Sequence, residues 1–207
     1  MKKIICFGDS ILAGSNSKTK FTDYFQDDKT MVINKGISGT TIGEYSIYPV
    51  DGNSLLSIYN KDSIIKDADT IILEYGINDV TAIMCGFTDF DKVMISFIKA
   101  LDGIRQLNPR AEIKFLSISD NNETLLRYAI LQCCYLQEEY FVNYDFNFPA
   151  SKWADLYRYL IDSVSKSVTV IPMIHTTEFI DKYISSDLIH PNEDGHRLIA
   201  VNIEKLI

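Results

Sequence analysis

The length, composition and charge of the chain exclude several classes of protein. The sequence has 207 residues, of which 46% are apolar and 23% charged, as is usual for a folded globular protein and not for a disordered one. At about 100–200 residues per domain, this length predicts a single domain over residues 1–207. A formal net charge of −8, from 20 Lys and Arg against 28 Asp and Glu, disfavours binding to nucleic acid or to an anionic membrane surface.

The N-terminus and the cysteines indicate a cytoplasmic protein. Lys2 and Lys3 precede only four apolar residues, fewer than the about 7–15 in the apolar region of a secretion signal. No stretch approaches the about 18 apolar residues that a membrane-spanning helix needs. The cysteines provide neither a disulfide framework nor a metal-binding spacing, so we expect reduced thiols. They are Cys6, Cys85, Cys133 and Cys134.

Five short apolar runs alternate with longer segments along the chain. Each run is rich in Ile, Val, Phe or Leu and lacks polar alternation. This pattern is typical of strands that are buried on both faces of a parallel sheet. In chain order, the predicted strands are Ile4–Phe7, Met31–Ile33, Thr70–Leu73, Ile113–Ile118 and Val168–Ile174.

Three other segments have apolar residues at helical spacing. From Phe90 to Leu107 these residues recur at steps of three and four, with Asp89 placed to cap the helix and Pro109 to end it. Strands and helices that alternate in this way predict a doubly wound α/β domain, which binds ligands at the carboxyl ends of its strands. The other two stripes are Leu126, Ala129 or Ile130, Cys133 and Leu136, and, after Pro191, Ile199, Ile203 and Leu206.

Four polar clusters lie where such a domain binds its ligand. Ser10 follows the first predicted strand, Gly39 the second and Asn78 the third. Asp187 and His190 form an Asp-x-x-His pair before the last helix. Taken singly, each cluster is explained as well by a turn or a helix cap. Taken together, they supply a nucleophile, a base, a carboxylate to orient the base, and N–H donors for an oxyanion.

In this order, the four blocks resemble those of the GDSL (SGNH) hydrolase family. The resemblance spans essentially the whole chain and implies that Ser10, Asp187 and His190 are catalytic. It also implies an oxyanion hole formed by Ser10, Gly39 and Asn78. The implied fold is a three-layer, flavodoxin-like α/β/α sandwich around a sheet of about five parallel strands. The implied chemistry is that of a serine esterase, which needs no cofactor and no metal ion.

Two tyrosine-rich segments bear on the substrate. Tyr45–Tyr59 is expected to be a loop, and Tyr135–Tyr159 is crowded with aromatic residues that either pack in the core or form a substrate wall or subunit interface. The sequence is therefore compatible with a homo-oligomer. Tyrosines that overhang the site would suit polar alcohols such as sugars. We expect a small acyl ester as substrate, acetyl above all, with an acylated carbohydrate as one candidate.

Other functions remain open from the sequence alone. The same catalytic groups would serve an acyltransferase or a thioesterase. A flavodoxin-like binding module without catalysis would use the turn after the first strand as a phosphate cradle, but Gly8–Gly14 lacks a dinucleotide fingerprint and a P-loop lysine. A carbohydrate-binding protein that has lost the chemistry is a further possibility. His175 and His196 fit no familiar zinc spacing, and His196 is expected on a helix surface or just behind the site.

Overall fold

Five parallel strands form the sheet at the centre of the protein. A computed structural model describes residues 1–45, 53–59, 63–139, 149–204 and 206. The strand order is β2-β1-β3-β4-β5, so the carboxyl ends of β1 and β3 flank the crevice at which such sheets bind ligands. The strands are β1 (Lys2–Gly8), β2 (Thr30–Gly36), β3 (Thr70–Glu74), β4 (Glu112–Ser119) and β5 (Thr169–Ile174).

Helices flank the sheet and give the predicted three-layer α/β/α arrangement. The helices are α1 (Ser10–Ala13), α2 (Leu55–Ile58), α3 (Ile77–Met84), α4 (Phe90–Leu107), α5 (Asn122–Glu139), α6 (Ala150–Val164), α7 (Thr177–Lys182) and α8 (Glu193–Glu204). Helix α8 packs on β5 and on the short 3-10 turn Phe21–Tyr24, whereas α6 contacts α3, α4 and α5. Among the described residues, no helix is both long and apolar enough to cross a membrane.

All five predicted strands are present, but the two edge strands, β2 and β5, are less buried than predicted. Residues 4–8 of β1, all of β3 and residues 114–119 of β4 are buried. Strand β2 is only partly buried along its length, and Met31 is exposed. The prediction that these two strands are buried on both faces is therefore wrong. The reason is that β2 pairs with β1 alone and β5 with β4 alone, so each forms an edge of the sheet.

The buried face of α5 is rotated from the predicted one. Leu126, which the apolar spacing predicts to face the core, is 40% exposed. Of the alternatives Ala129 and Ile130, Ala129 is buried and Ile130 is 47% exposed. Leu125, Tyr128 and Gln132 are also buried. This face packs against α6 and α7, and it carries a large phenol and an amide that a search for aliphatic spacing does not detect. The rest of the predicted stripe is buried or half-buried: Cys133 and Leu136.

The two other predicted helices are confirmed, with one difference at the C-terminus. The Asp89 side chain accepts the N–H of Lys92 at 2.9 Å, so it caps α4 as predicted. In α8, Ile199 and Ile203 are buried, as the apolar spacing predicts. Leu206 lies beyond the end of α8 and is exposed, because the helix stops before that residue.

The described parts of the two tyrosine-rich segments contribute mainly to packing. On α6, Trp153 and Tyr157 are buried and stacked with ring centroids 5.2 Å apart, which confirms core packing for these two residues. In the segment between β2 and β3, the Tyr45 hydroxyl donates to Asp79 and the Tyr59 ring packs on Gly103. Residues 46–52 and 140–148 of these segments lie outside the described residues.

We predict that Trp153→Ala lowers the free energy of unfolding by about 3–5 kcal/mol, as loss of a fully buried aromatic ring does. The change also removes the hydrogen bond from Trp153 Nε1 to Thr81 Oγ1 at 3.2 Å. Urea unfolding followed by circular dichroism measures the effect. The matched control is Lys152→Ala on the exposed face of the same helix, which changes stability by less than about 0.5 kcal/mol. Equal effects of the two substitutions would contradict the assigned packing.

Candidate active site

A cavity of about 270 Å³ opens at the carboxyl ends of β1 and β3. Four of the five predicted site residues line it, namely Ser10, Gly39, Asn78 and His190. The fifth, Asp187, lies behind His190 and contacts its ring. The structure thus brings all the predicted residues together, although they are spread over 181 positions of sequence from Ser10 to His190. The other lining residues are Ser15, Ser38, Ile77, Tyr128, Gln132, Tyr135 and Ile189.

A tight turn between β1 and α1 positions Ser10 at the cavity. The turn needs glycine at position 8, since a Cβ on Gly8 would lie 2.7 Å from the Glu74 carbonyl oxygen and 2.8 Å from the Leu12 side chain. Asp9 caps α1, and its carboxylate accepts the N–H of Ile11 at 3.0 Å. In the described structure the Ser10 hydroxyl makes no hydrogen bond to His190; such bonds often tighten only when substrate binds.

Asp187 and His190 are joined by a short hydrogen bond. His190 Nδ1 lies 2.5 Å from Asp187 Oδ2, and both side chains are largely buried. Asp187 Oδ1 also accepts the backbone N–H groups of Ile189 and His190, each at 3.0 Å. Burial opposes ionisation of Asp187, but its hydrogen bonds outweigh that effect and hold the pKa of its carboxyl well below the usual value. The carboxylate therefore stays ionised and fixes the orientation of the imidazole.

Two further side chains orient Asp187 and were missed from the sequence. The Ser185 hydroxyl donates to Asp187 Oδ1 at 2.5 Å, and the Asn16 amide donates to Asp187 Oδ2. Asn16 has a φ of 60°, in the left-handed region that asparagine tolerates better than most residues. It is 171 positions from Asp187 in the sequence, so only the fold reveals the contact. Ser185 lies two residues from Asp187, and an ST-type turn is a signal that could have found it.

Two candidate oxyanion donors lie on the loop that follows β2 and at the start of α3, which follows β3. Gly39 has a φ of 79°, in the left-handed region, and it lines the cavity beside Ser38. The Asn78 amide donates to the Thr40 carbonyl at 2.8 Å, and its nitrogen lies 3.4 Å from Asp9 Oδ2. The second contact is long for a hydrogen bond. The Asn78 N–H that points to Asp9 can therefore donate to a substrate oxygen instead, while the hydrogen bond to Thr40 keeps the amide in position.

The buried carboxyl of Asp79 is hydrogen-bonded to both of these segments. One of its oxygens accepts the N–H of Ile42 and the hydroxyl of Tyr45, both at 2.9 Å. The other accepts the N–H of Gly76 at 3.1 Å. Burial raises the pKa of Asp79 to about 7, and these hydrogen bonds only partly oppose that effect. Asp79 thus fixes the distance between the loop that carries Gly39 and the start of α3, which carries Asn78.

A pair of buried carboxyls, Asp9 and Glu74, lies beneath the turn that carries Ser10. Glu74 Oε2 accepts the N–H groups of Asp9 and Leu12, both at 3.3 Å. Burial raises the pKa of both acids, and the two side chains are hydrogen-bonded to each other. A hydrogen bond between two carboxyl groups requires one proton, so this contact and burial both favour a protonated form of the pair.

Of the two positions expected for His196, on a helix surface or just behind the site, the structure supports the second. His196 is fully buried on α8, and its ring stacks on Phe21 with centroids 6.2 Å apart. The alternative of a helix-surface position is wrong, since α8 turns this face towards the Phe21–Tyr24 turn. Burial, followed by the proximity of His190, lowers the pKa of His196 to about 4, so its imidazole is neutral. The described residues contain no group of three or more metal-ligating side chains.

The cavity lies at the strand-order reversal of a parallel sheet, where open α/β folds bind their ligands. The chain matches the family model described as GDSL-like Lipase/Acylhydrolase over residues 6–198. It therefore belongs to this family and is a serine ester hydrolase. No curated protein sequence matches the chain significantly.

Solved structures of esterases share the fold at low sequence identity. The lipase Lip_vut3 from a goat rumen metagenome is 13% identical, with a TM-score of 0.65 over 99% of this chain and 97% of that one. A catalytic mutant of Axe2, an acetylxylan esterase from Geobacillus stearothermophilus, is 17% identical, with a TM-score of 0.63 over 99% and 93%. A carbohydrate acetylesterase family member from Sinorhizobium meliloti is 15% identical, with a TM-score of 0.60 over 100% and 97%. At such identities the likeness establishes the fold.

We predict that Glu74→Gln gains stability relative to the wild type as the pH rises. The pKa of the Glu74 carboxyl is raised in the folded protein, so its protonated form stabilises the fold. This contribution is complete below the ordinary Glu pKa of 4.5, and it is lost as the pH rises towards the folded-state pKa. The substitution removes that titration, while its amide oxygen still accepts the N–H groups of Asp9 and Leu12. The difference grows by up to about 1.4 kcal/mol per pH unit.

Urea unfolding at intervals between about pH 5 and about pH 8 measures this difference. Glu44→Gln, at an exposed carboxyl, is the matched control. A Glu74→Gln difference that does not change with pH would contradict the raised pKa of Glu74.

We predict that Asn16→Gly lowers kcat by about 3- to 10-fold and changes KM little, because one hydrogen bond of about 0.5–1.5 kcal/mol that orients Asp187 is lost. Glycine is chosen because it adopts the positive φ of Asn16 without strain. Steady-state kinetics with a p-nitrophenyl ester measures the effect. Lys18→Gly, in the same exposed loop, controls for the added backbone freedom. A change in KM alone would contradict a role in orienting Asp187.

Proposed function

We propose that the protein hydrolyses small acyl esters, acetyl esters above all, through an acyl-enzyme formed on Ser10, and that its substrates include acylated carbohydrates. The observation that carries the proposal is the cavity of about 270 Å³ that Ser10 and His190 both line, with Asp187 hydrogen-bonded to His190 behind it. We also propose that residues 1–207 form one catalytic domain. The family match over residues 6–198 supports that view.

The proposed mechanism assigns one task to each group. His190 takes the proton of the Ser10 hydroxyl as the oxygen bonds to the acyl carbon, and then gives that proton to the departing alcohol. Asp187 accepts from Nδ1 of His190, so it holds the tautomer that leaves the other ring nitrogen available, and it stabilises the imidazolium. Water then attacks the acyl-enzyme, with His190 again acting as the base.

The proposed oxyanion hole uses groups from three segments of the chain. The backbone N–H groups of Ser10 and Gly39 and the side-chain amide of Asn78 donate to the oxygen that becomes negative in the transition state. Asn78 is well suited to the task because its amide is already fixed on the Thr40 carbonyl at 2.8 Å. A donor that is positioned before substrate binds needs no reorganisation during the reaction.

The dimensions of the cavity support a short acyl group. Its volume of about 270 Å³ is just below the ~300–1,000 Å³ that is usual for pockets of drug-sized ligands. Its lining joins the apolar side chains of Ile77 and Ile189 to the hydroxyls of Ser15 and Ser38. Two of the solved structures with this fold are an acetylxylan esterase and a carbohydrate acetylesterase family member, which supports an acetylated carbohydrate as substrate.

The proposal also includes the cellular location. We propose that the enzyme acts in the cytoplasm, where thiols are kept reduced. Its four cysteines, of which Cys6 is buried and Cys134 exposed, are free thiols. Burial raises the pKa of the Cys6 thiol, so that thiol is unreactive.

The test is a series of p-nitrophenyl esters of increasing acyl length. We predict that kcat/KM is highest for acetyl or another short acyl group and falls beyond about four to six carbons. A cavity of this size cannot bury further CH₂ groups at about 0.8 kcal/mol each. Ser10→Ala reduces turnover to the background rate, whereas Ser151→Ala, at an exposed serine of α6, does not.

Two results would contradict the proposal. A steady rise of kcat/KM to long chains would indicate a deep apolar channel. Full activity of Ser10→Ala would remove the nucleophile. Product analysis with added alcohols and with acyl thioesters distinguishes hydrolysis from acyl transfer and from thioester cleavage. Hydrolysis of the oxygen ester to the free acid, with no transfer to the alcohol, is the expected outcome.

A further inference from the structure

Two polar atoms in the wall of the cavity have no role in the mechanism. They are the hydroxyl of Tyr128 and the side-chain oxygen of Gln132, on residues that are only 1% and 2% exposed. Both residues line the cavity that holds Ser10. They are four positions apart on α5 and therefore lie on the same face of the helix, one turn from each other.

Within the part of the chain that the structure describes, neither atom has a hydrogen-bond partner. Buried polar atoms are almost always paired, and an unpaired one destabilises the fold. The exposed face of α5 carries Leu126 and Ile130 instead, so the helix turns two apolar side chains to solvent and a phenol and an amide to the cavity. Folding stability does not account for this arrangement. A binding site for a polar group requires it.

We infer that Tyr128 and Gln132 form a subsite for a hydroxyl-bearing alcohol, so that the preferred substrate is an ester of a polyhydroxylated ring such as a sugar. A substrate hydroxyl both donates and accepts, which matches a phenol beside an amide oxygen. This inference rests on the proposed function and identifies the residues that select the alcohol portion of the ester.

The chemistry of the lining disfavours the other classes of alcohol. An aliphatic alcohol would leave both polar atoms unpaired in the complex, whereas a substrate hydroxyl would pair with them. An anionic alcohol would find no Lys or Arg among the residues that line the cavity. Tyr135 lines the same cavity, and a tyrosine ring offers the flat apolar face on which a sugar ring packs. The neutral, hydroxylated ring is therefore the class that fits.

The test compares two acetyl esters of similar shape. One is a mono-acetylated methyl glycoside, and the other is cyclohexyl acetate, which has a ring but no hydroxyl groups. We predict that the wild type has a kcat/KM at least about tenfold higher for the glycoside ester, as in sites that hydrogen-bond a substrate hydroxyl. Tyr128→Phe and Gln132→Met each lower that ratio by about tenfold, because each removes one hydrogen bond to the substrate.

Matched controls make the same chemical changes away from the cavity. Tyr159→Phe and Gln106→Met alter exposed residues of α6 and α4 and leave the ratio as it is in the wild type. Circular dichroism establishes that each variant is folded. The wild-type ratio is informative even if one variant fails to fold, since a wild type that hydrolyses both esters equally well would overturn the inference.

The outcome also separates this inference from the proposed function. Hydrolysis of p-nitrophenyl acetate by the wild type, together with a ratio that neither Tyr128→Phe nor Gln132→Met changes, overturns the subsite and leaves the esterase intact. Absence of hydrolysis of every acetyl ester overturns the proposed function itself. A ratio that falls in both variants and in neither control supports the subsite.

Discussion

Backbone N–H groups at the carboxyl ends of β1 and β3 need acceptors in a region that water does not reach, and buried carboxyl groups supply them. Glu74 accepts from the turn that carries Ser10, and Asp79 accepts from the segments that carry the candidate oxyanion donors. An unpaired N–H in such a place destabilises a fold by about 1–3 kcal/mol. These acids therefore hold three segments in one geometry, and the cavity owes its shape to them.

The acids around the cavity differ in charge because their surroundings differ. Asp187 is ionised, since two side-chain donors, two backbone N–H groups and His190 surround it. Asp9 and Glu74 are buried next to each other, and burial raises the pKa of both carboxyls. This difference in charge between the acids suits ester hydrolysis. A full negative charge on Asp187 stabilises the imidazolium of His190, whereas a second charge beneath Ser10 would oppose the oxyanion that forms there.

Much of the fold was predictable from the sequence, because strands buried in a parallel sheet appear as continuous apolar runs. Such runs can be recognised without knowing which strands pair. The position of Ser10, Gly39 and Asn78 followed from topology, since polar residues after parallel strands converge at one edge of the sheet. Asp187 and His190 follow α7 and no strand, so their place at the site followed from the resemblance to GDSL hydrolases. Contacts between distant residues were not predictable, as with Asn16 and Asp187. The buried face of α5 was missed for a related reason. Tyr128 and Gln132 line the cavity, whereas the aliphatic spacing predicted Leu126 and either Ala129 or Ile130, of which only Ala129 is buried.

The central claim is that Ser10 carries the acyl group during turnover. The most direct measurement is rapid acid quenching of the enzyme during hydrolysis of p-nitrophenyl acetate, followed by mass spectrometry of its peptides. The account predicts one acetyl group on the peptide that contains Ser10, absent from Ser10→Ala and replaced by a propionyl group when the propionyl ester is used. An acetyl group on any other residue, or turnover without an adduct on Ser10 under conditions where deacylation limits the rate, would contradict it.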